Sequence, residues 1–375
     1  MDGHRPPRIY LIAGEASGDL HGANLVRELL RIDPGIQVRA WGGDRLAGAG
    51  ADVVKHYRDL AFMGFTQVVM NLRTILRNMR WCREDIRAYA PDLLVLVDYP
   101  GFNLRIADWA HAQGIRVVYY ISPQLWAWKP GRIDTVKRAV ERMITILPFE
   151  QAWYAARGVQ VDHVGHPLLD ALPAEAGAPR ATAASSPIAL LPGSRRQEIE
   201  RVLPVMLAAA RRHPHERFVI AAAPAVPREL YARIIGDAPV ELRSGGAHGL
   251  LAEAKAALVT SGTATLETAL FGVPEVVCYS GGPINVWLAR RLIRVPFISL
   301  VNLIMEREVV PELIQQDLNA DRLSTELDRL LNDSEHRARM LADLAELRRK
   351  LGGPGASARA AALVWKSLDG GTKAA

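Results

Sequence analysis

Short apolar runs alternate with longer helical patterns along most of the chain, and this alternation limits the fold more than any other feature of the sequence. The runs RIYLIAG, DLLVLVDYP and RVVYYIS are each followed by a segment with apolar residues at helical spacing. Uninterrupted apolar runs are typical of parallel strands that are buried on both faces, with helices as the crossovers. The sequence therefore predicts an α/β fold, in which ligands bind beside the carboxyl ends of the strands.

The alternation restarts after a segment of different composition. The 375 residues exceed the roughly 250 to 300 at which a single hydrophobic core stops growing. Residues 171–187 are rich in Ala, Pro and Ser, and the apolar runs IALLPGS, RFVIAAAP, AALVTSG and PEVVCYSG follow them. We therefore predict two domains, residues 1–170 and 188–353, joined by a linker over residues 171–187.

The composition is that of an ordinary globular protein with a basic balance. Hydrophobic residues make up 49% and charged residues 23% of the chain, which excludes wholesale disorder. The net charge of +6 favours anionic partners such as phosphates, nucleic acid or a lipid surface. Two cysteines, Cys82 and Cys278, are too few for a disulfide framework, so a reducing cytosol fits best. Without a signal peptide or a spanning stretch, a soluble or peripheral protein is expected.

Glycines recur every four residues after the first apolar run, in the segment AGEASGDLHG. This spacing lets the main chain approach a ligand, and the next helix offers N–H groups to an anion. The candidate ligand contacts are Gly14, Glu15, Ser17 and Gly18. The segment matches neither GxGxxG nor a P-loop, so a Rossmann cofactor or ATP is only weakly indicated. The alternative is that Ser17 or Asp19 merely caps the helix.

Asp98 follows the apolar run LLVLV, and Pro100 and Gly101 then turn the chain away. A carboxylate at the end of a buried strand suits a general base, provided that partial burial raises its pKa toward neutrality. Asp98 is therefore a candidate to accept a proton from an attacking hydroxyl group. The alternative is that it caps the following helix.

Two helix starts after residue 187 combine glycine with hydroxyl side chains. In LLPGSRR, Ser194, the main chain and the planar guanidinium of Arg195 are suited to holding a phosphate. The run SGTATLE again offers amides to an anion, and the two runs together favour a diphosphate. The candidates in this second run are Gly262, Thr263, Thr265 and Glu267. The carboxylate of Glu267 is suited to accept hydrogen bonds from a ribose diol. The alternative interpretation is that Glu267 caps the helix, as a Glu three residues after an N-cap does.

Apolar residues recur at helical spacing over residues 66–88, beside a stripe of arginines. An apolar helical stripe packs in a core more often than not, whereas neighbouring arginines suit a surface that dips into anionic lipid. Composition alone leaves both interpretations open. The residues concerned, with those that lead into the helix, are Met63, Phe65, Val68, Val69, Leu72, Ile75 and Leu76.

Ordered motifs along nearly the whole chain resemble the bacterial lipid-A-disaccharide synthases, which are glycosyltransferases of the GT-B fold. The motifs are AGEASGDLHGANL, MGFTQVV, VDYPGFNLRIA, YYISPQLWAWKPGRI, ILPFEQAWY, VGHPLLD, LLPGSRRQEI and SGTATLETAL. The resemblance implies two Rossmann-like parallel-sheet domains that face a central cleft, with the acceptor mainly on the N-terminal domain and the donor on the C-terminal one. It also implies that residues 354–375 pack back on the N-terminal domain.

The activity that the resemblance implies joins UDP-2,3-diacylglucosamine to the 6-hydroxyl of 2,3-diacylglucosamine 1-phosphate (lipid X), with inversion, to give a β-1,6-linked disaccharide 1-phosphate and UDP. By motif position, Asp98 would be the base and Ser17 would line the acceptor site. On the donor side, Ser194 and Arg195 would hold the phosphates, Thr263 and Thr265 would line that pocket, Glu267 would bind ribose and Asn302 would support the site.

Two positions depart from the family pattern. Gly101 stands where many members carry a second aspartate, so the role of base falls more clearly on Asp98. Tyr99 replaces a smaller residue, which leaves the local contacts to the acceptor open.

We expect no metal and no other cofactor, because Arg195 and helix-start amides can stabilise the leaving group. The expected partners are the two lipid substrates and an anionic membrane surface, without nucleic acid, and a homodimer stays open. The expected location is the cytoplasm, at the inner face of the cytoplasmic membrane. The rivals are another GT-B enzyme that uses UDP-N-acetylglucosamine, such as an epimerase or a peptidoglycan-precursor transferase, and a non-enzymatic binder of anionic lipid.

Overall fold

The computed structural model of the protein describes residues 5–59, 72–173, 176–177, 183–224, 226–282 and 295–372. The chain divides into two compact units. The first unit takes the described residues up to Ala171 and those from Gly352 onward, and the second takes those from Leu172 to Leu351. Each unit is built on one parallel sheet with helices between its strands.

Among its described residues, the first unit contains seven strands. They are β1 (Arg8–Ala13), β2 (Gln37–Gly42), β3 (Asp52–His56), β4 (Leu93–Val97), β5 (Val117–Tyr120), β6 (Arg142–Thr145) and β7 (Asp162–His163). All pair in parallel, in the order β3-β2-β1-β4-β5-β6-β7. The connecting helices are α1 (Ala16–Ile32), α2 (Asp44–Gly48), α3 (Leu72–Tyr89), α4 (Pro100–Ala112), α5 (Ile133–Ala139), α6 (Glu150–Ala155) and α7 (Leu168–Ala171).

The described part of the second unit contains six strands. They are β8 (Ile188–Leu191), β9 (Phe218–Ala221), β10 (Val240–Arg243), β11 (Ala256–Thr260), β12 (Glu275–Tyr279) and β13 (Glu312–Ile314). They also pair in parallel, in the order β10-β9-β8-β11-β12-β13. Its helices are α8 (Arg196–Arg211), α9 (Arg228–Ile235), α10 (Ala247–Leu251), α11 (Thr263–Leu270), α12 (Leu300–Met305), α13 (Ala320–Asn332) and α14 (Ser334–Leu351).

In both sheets the order of the strands reverses at one point. In the first unit this point lies between β1 and β4, where Ala13 is opposite Val97. In the second it lies between β8 and β11, where Leu191 is opposite Val259. The connections diverge there, which leaves a crevice at the carboxyl ends of the strands where open α/β sheets bind ligands. The predicted α/β fold with two Rossmann-like sheets is confirmed.

The core of the first unit lies on both faces of β1 and β4. Every residue of β4 is fully buried, as are the residues of β1 from Ile9 to Ala13. Helix α1 approaches this sheet closely because Gly18 faces it: a Cβ at position 18 would lie 3.3 Å from the Cβ of Ala13. The glycine thus brings the start of α1 close to the carboxyl ends of the central strands.

The last helix, α15 (Ala356–Thr372), belongs to the first unit and packs against α1. The carboxylate of Asp170 accepts hydrogen bonds from the main-chain amides of Gly355 and Ser357. It thereby satisfies N–H groups at the start of α15, which otherwise lack a partner within the helix. These contacts anchor the C-terminal segment to the first unit.

The segment predicted as a linker, residues 171–187, is packed in part. Ala176 is 2% exposed and lies in a core cluster of the second unit, with Leu191 and Phe271. Ala176, in the described part of this segment, therefore packs as part of the second unit.

Helix α3 divides its apolar residues between the core and the surface. Met79, Cys82 and Ile86 are buried in the core, whereas Ile75 is half-buried and Leu76 is 56% exposed. Core packing therefore explains one face of the stripe and leaves an exposed leucine near its start. Outside the described residues lie Met63, Phe65, Val68, Val69 and the side chain of Leu72. Within the described ranges, no helix has both the length and the apolar character needed to cross a membrane.

Candidate active site

Asp98 lies at the carboxyl end of β4 in an unusual main-chain conformation. Asp98 and Tyr99 have φ angles of 46° and 51°, in the left-handed region that costs non-glycine residues about 1 kcal/mol or more. The hydroxyl of Tyr119 and the side-chain Nδ2 of Asn103 donate hydrogen bonds to the main-chain carbonyl of Asp98, at 2.6 and 2.7 Å. These bonds hold the turn. Tyr99 is the N-cap residue of α4, so the alternative prediction that Asp98 caps this helix is wrong.

The carboxyl group of Asp98 has a pKa raised to about 7, mainly because protein atoms surround it and disfavour its charged form. The negative charges of Glu15 and Glu150 act in the same direction, and a hydrogen bond from the Tyr99 amide acts against them. A pKa near neutrality makes both the base and its conjugate acid accessible at physiological pH, as general acid–base catalysis requires. This is the shift that was expected from partial burial.

Glu150 is a second buried carboxyl group that the sequence did not single out. It is 1% exposed, and its Oε2 atom accepts hydrogen bonds from the amides of Ile146 and Leu147 at 3.1 and 2.9 Å. Burial is the main cause that raises its pKa to about 7. A glutamate at a helix start is usually an exposed partner of the helix dipole, so its position in ILPFEQAWY gave no signal of burial.

The glycine-rich loop after β1 lies beside Asp98, because β1 and β4 are neighbours. A Cβ at position 14 would lie 2.3 Å from the ring of Tyr99, so Gly14 is needed for the close approach of that ring. Gly14 therefore has a packing role that needs no ligand. Glu15 is the N-cap residue of α1, and Ser17 lies half-buried in its first turn.

Asp19 caps a different helix from the one that the sequence suggested. Its carboxylate accepts hydrogen bonds from the amides of Gly43, Arg45 and Leu46 at 2.7, 3.2 and 3.1 Å, at the start of α2. No side chain caps α1, which begins after Glu15. The alternative that Ser17 or Asp19 merely caps α1 is therefore wrong.

Ser194 and Arg195 lie between β8 and α8. The preceding Gly193 has a φ of 113°, and a Cβ there would lie 2.6 Å from the carboxylate of Glu198. The Oε2 atom of Glu198 accepts from the amides of Ser194 and Arg195 at 3.1 and 3.3 Å, and the Arg195 guanidinium donates to Oε1 at 2.8 Å. A carboxylate of the protein thus binds where a phosphate was predicted, which shows that these donors converge on an anion.

Gly262 and Thr263 are exposed at the start of α11, whereas Thr265 is fully buried. The Thr265 hydroxyl donates to the Gly262 carbonyl at 2.8 Å, so it shapes the helix start in place of the predicted contact with a ligand. Glu267 is five residues beyond the N-cap Gly262, so the capping alternative for it is wrong. Its carboxylate lies 3.7 Å from Nε2 of His248 and is 21% exposed, which leaves it accessible to a ligand.

Asn302 is fully buried, and its amide group is used entirely within the protein. Its Nδ2 donates to the Val310 carbonyl and to Glu312 at 2.8 and 2.9 Å. Its Oδ1 accepts from the amides of Val309 and Val310 at 2.7 and 3.0 Å. An amide group has two donor and two acceptor positions, so none is left for a ligand. Asn302 therefore stabilises the main chain over residues 309–312 and does not contact a ligand with its amide group.

In each unit, two candidate loops meet at the point where the strand order reverses. Gly14 and Asp98 follow the paired strands β1 and β4. Ser194 and Gly262 follow the paired strands β8 and β11. One unit therefore presents a carboxyl group with a raised pKa, and the other presents two helix starts with glycine and hydroxyl residues. Two units that are each built on one parallel sheet with such a reversal point are typical of the GT-B fold.

Solved structures share this fold. The glycotransferase of kitacinnamycin matches with a TM-score of 0.64, over 97% of this chain and 100% of that chain, at 17% identity. The UDP-GlcNAc 2-epimerase from Neisseria meningitidis, bound to UDP-GlcNAc, matches with a TM-score of 0.67 over 96% of this chain and 100% of that chain, at 13% identity. The GT-B fold implied by the sequence motifs is confirmed.

The family model of lipid-A-disaccharide synthetase matches residues 9–366. The lipid-A-disaccharide synthase of Syntrophus aciditrophicus is 42% identical over 368 residues, which cover 95% of this chain and 96% of that relative. The chain therefore belongs to the lipid-A-disaccharide synthetase family. It is an enzyme, a glycosyltransferase of lipid A biosynthesis, as the resemblance of its motifs predicted.

Proposed function

We propose that the enzyme transfers 2,3-diacylglucosamine from UDP-2,3-diacylglucosamine to the 6-hydroxyl of 2,3-diacylglucosamine 1-phosphate (lipid X). The products are the β-1,6-linked disaccharide 1-phosphate and UDP. Family membership supports this pair of substrates. The main support for the chemistry is that Asp98, at the point where the strand order of the first sheet reverses, has a carboxyl group with a pKa of about 7.

Asp98 acts as the general base in this reaction. It takes the proton of the acceptor hydroxyl while that oxygen forms a bond to the anomeric carbon of the donor sugar. The bond between this carbon and the UDP oxygen breaks on the opposite face, so an α-linked donor gives a β-linked product. Glu15 and Glu150 support this role, because their negative charges favour the protonated form of Asp98 and so strengthen it as a base.

The second unit holds the UDP group. The amides of Ser194 and Arg195 and the Arg195 guanidinium bind the diphosphate in place of the Glu198 carboxylate that they now contact. Gly262 and Thr263 add the amides of the neighbouring helix start, and Glu267 accepts from the ribose hydroxyls. These groups neutralise the charge that develops on the leaving diphosphate.

Charge neutralisation by Arg195 and by main-chain amides supports transfer without a metal ion. The test is the rate of disaccharide formation in excess EDTA. We expect an unchanged rate. Loss of activity that Mg²⁺ or Mn²⁺ restores would overturn this part of the proposal.

On the acceptor side, Glu15 and Ser17 at the start of α1 contact the sugar beside Asp98. Gly14 and Gly18 contribute by letting the Tyr99 ring and the sheet approach closely. Their effect on the acceptor is therefore through the shape of the loop.

The enzyme docks on the anionic inner surface of the cytoplasmic membrane through the start of α3. Leu76 is 56% exposed, and Arg73, Arg77 and Arg80 are exposed on the same helix. An apolar side chain between cations favours an anionic bilayer interface. Leu76→Ser should lower co-sedimentation with phosphatidylglycerol vesicles severalfold, whereas Leu341→Ser, at an exposed leucine of α14, should not. Equal binding by the two variants would refute docking through α3.

The decisive experiment incubates the purified enzyme with both lipid substrates and follows the disaccharide by mass spectrometry. Asp98→Ala should lower the rate by about 10²- to 10⁴-fold, the usual contribution of a general base. The matched control is Asp59→Ala, at an exposed aspartate that pairs with Lys55. An Asp98→Ala enzyme at wild-type rate would dismiss Asp98 as the base. In a separate incubation with UDP-N-acetylglucosamine and no acceptor, formation of its 2-epimer would favour the epimerase rival.

A further inference from the structure

Arg105, Lys129 and Arg132 form a cationic cluster beside the Asp98 turn. Arg105 lies on α4, and the other two come from the segment just before α5. A cavity of about 140 Å³ lies between Arg105 and Arg132, and its wall includes Pro100, two residues after Asp98. The cluster thus borders a space that can hold a small group beside the start of α4, the helix that follows the candidate base.

The cationic cluster has no carboxylate partner in the part of the chain that the structure describes. Asp108 also lines the cavity, but its Oδ1 atom accepts two hydrogen bonds from Arg138. Many other arginines of the unit do have partners; Arg116, for example, binds Glu141 at 2.7 Å. The cluster therefore concentrates positive charge that the surrounding residues leave uncompensated.

The arrangement of the cluster is unfavourable by itself. Partial desolvation, and then the neighbouring cations of the cluster, lower the pKa values of Lys129, which is largely exposed, and of Arg132. Both cations lie over the ring of Trp128, at 4.6 and 5.5 Å from its centroid, and the attraction to the ring offsets part of this repulsion. Lys129 also has a φ of 51°, in the left-handed region. An anionic ligand would relieve the repulsion between these charges.

The cluster is connected to the candidate base through one side chain. The charge of Arg132 acts on the hydroxyl of Tyr119, where it opposes the rise in pKa that burial causes. The same hydroxyl donates a hydrogen bond to the main-chain carbonyl of Asp98 at 2.6 Å. A group bound by Arg132 therefore lies close to the turn that carries the carboxylate.

We propose that Arg105, Lys129 and Arg132 hold the phosphate monoester of the sugar acceptor while its hydroxyl faces Asp98. This inference rests on the proposed function, in which the acceptor carries a phosphate at C1 and reacts at C6. C1 and C5, the ring carbon that carries C6, are both bonded to the ring oxygen, so the phosphate and the reacting hydroxyl extend from neighbouring parts of one sugar. Two guanidinium groups match the oxygens of a phosphate, and Lys129 adds a third charge. The cluster thereby selects acceptors that carry a phosphate.

The test compares two acceptors in neutral detergent, one with the C1 phosphate and one without it. With the phosphorylated acceptor, Arg132→Gln should raise the acceptor KM about 10- to 100-fold, as expected for loss of a charge-assisted hydrogen bond. The KM for the UDP-sugar should not change. With the acceptor that lacks the phosphate, wild type and variant should have the same KM. Lys129→Gln, at an exposed residue, repeats the test with less risk to folding.

The matched control is Arg27→Gln, which removes one exposed arginine from α1 in the same unit. It should leave the acceptor KM unchanged with both acceptors. An equal increase in KM for Arg132→Gln with both acceptors would overturn the proposal. A defect that appears only on vesicles of anionic lipid would also overturn it, because the cluster would then bind lipid headgroups.

A direct binding measurement separates this inference from the proposed function. If wild type makes no disaccharide, the proposed transfer reaction fails, and calorimetry with glucosamine 1-phosphate still tests the cluster. Binding to wild type that Arg132→Gln and Lys129→Gln each weaken at least tenfold would support a phosphate site. Equal binding by wild type and both variants, or no binding to wild type, would overturn it.

Discussion

The hydroxyl of Tyr119 donates a 2.6 Å hydrogen bond to the main-chain carbonyl of Asp98. Tyr119 is fully buried in β5, which pairs with β4, so a rigid strand holds the turn that carries the candidate base. The side-chain Nδ2 of Asn103, a residue of α4, donates a hydrogen bond to the same oxygen. Two packed elements therefore hold the main chain of the turn that carries the Asp98 carboxylate.

Tyr119→Phe should lower kcat about tenfold, which corresponds to about 1.4 kcal/mol, because the Asp98 carbonyl loses one of the two side-chain hydrogen bonds that it accepts. The KM of the donor should change little, since this hydroxyl lies in the first unit. Tyr120→Phe is the matched control: it removes a buried hydroxyl from the next residue, and that hydroxyl does not bind the Asp98 turn. Steady-state kinetics of both variants give the comparison, and equal kcat values would contradict the positioning role.

The value of kcat/KM should rise with pH through an apparent pKa of about 7, because a general base must be ionised. Glu15→Gln removes a negative charge that raises the pKa of Asp98, so it should move this acidic limb to lower pH. Asp98→Asn should remove the limb together with most of the activity. The measurement is the pH–rate profile of each variant. A limb at the same pH in Glu15→Gln would show that Glu15 does not act on the base.

The ends of the strands could be predicted because each apolar run and the polar residue that ends it are neighbours in the sequence. Gly14, Asp98 and Ser194 each come soon after such a run, and parallel pairing brings the carboxyl ends of the strands to one edge. The candidate loops were therefore found in the sequence, and so was the alternation that determines the fold class.

Contacts between distant parts of the chain could not be predicted in this way. Nothing near Asp19 shows that its carboxylate caps a helix 24 to 27 residues later. The burial of Glu150 and the saturated amide of Asn302 also depend on tertiary packing. A side chain that suits a ligand by its type is used within the protein when packing brings donors and acceptors to it first.

Arg195→Ala should raise the Kd of UDP about 10- to 100-fold, because the diphosphate loses a charge-assisted, forked hydrogen-bond donor. Arg195→Lys should restore the affinity only in part, since an ammonium group lacks the planar pair of donors. Arg196→Ala is the matched control, because this adjacent arginine is exposed and binds Glu200 at 3.0 Å. Calorimetry with UDP gives the values. Equal Kd values for Arg195→Ala and Arg196→Ala would remove Arg195 from the phosphate site.

Asn302→Ala should lower the free energy of unfolding by about 2 to 4 kcal/mol, because buried amides and a carbonyl between residues 309 and 312 lose their partner. Asn332→Ala, at an exposed residue that ends α13, should have little effect. Urea unfolding monitored by circular dichroism measures both variants. A variant with wild-type stability and weakened UDP binding would instead indicate that Asn302 contacts the donor directly.

Glu275 should make the stability of the protein fall as the pH rises. The residue is fully buried, and neither carboxylate oxygen has a hydrogen-bond partner in the described part of the chain. Burial therefore raises its pKa well above the usual value, and the folded state keeps the group protonated. In the unfolded chain it ionises near pH 4.3, so folding above about this pH takes up a proton. Its contribution to stability is present below that pH and is lost as the pH rises toward the folded-state pKa.

Glu275→Gln removes this proton uptake and should flatten the pH dependence of stability. Between pH 5 and pH 8, wild type should lose up to about 1.4 kcal/mol for each pH unit relative to the variant, which is the slope for one proton. Comparing the two proteins at both pH values cancels the cost of burying an amide, because that cost does not depend on pH. Thermal unfolding at pH 5 and pH 8 gives the four midpoints. Parallel shifts in wild type and variant would mean that Glu275 is ionised in the folded protein, with a partner that balances its charge.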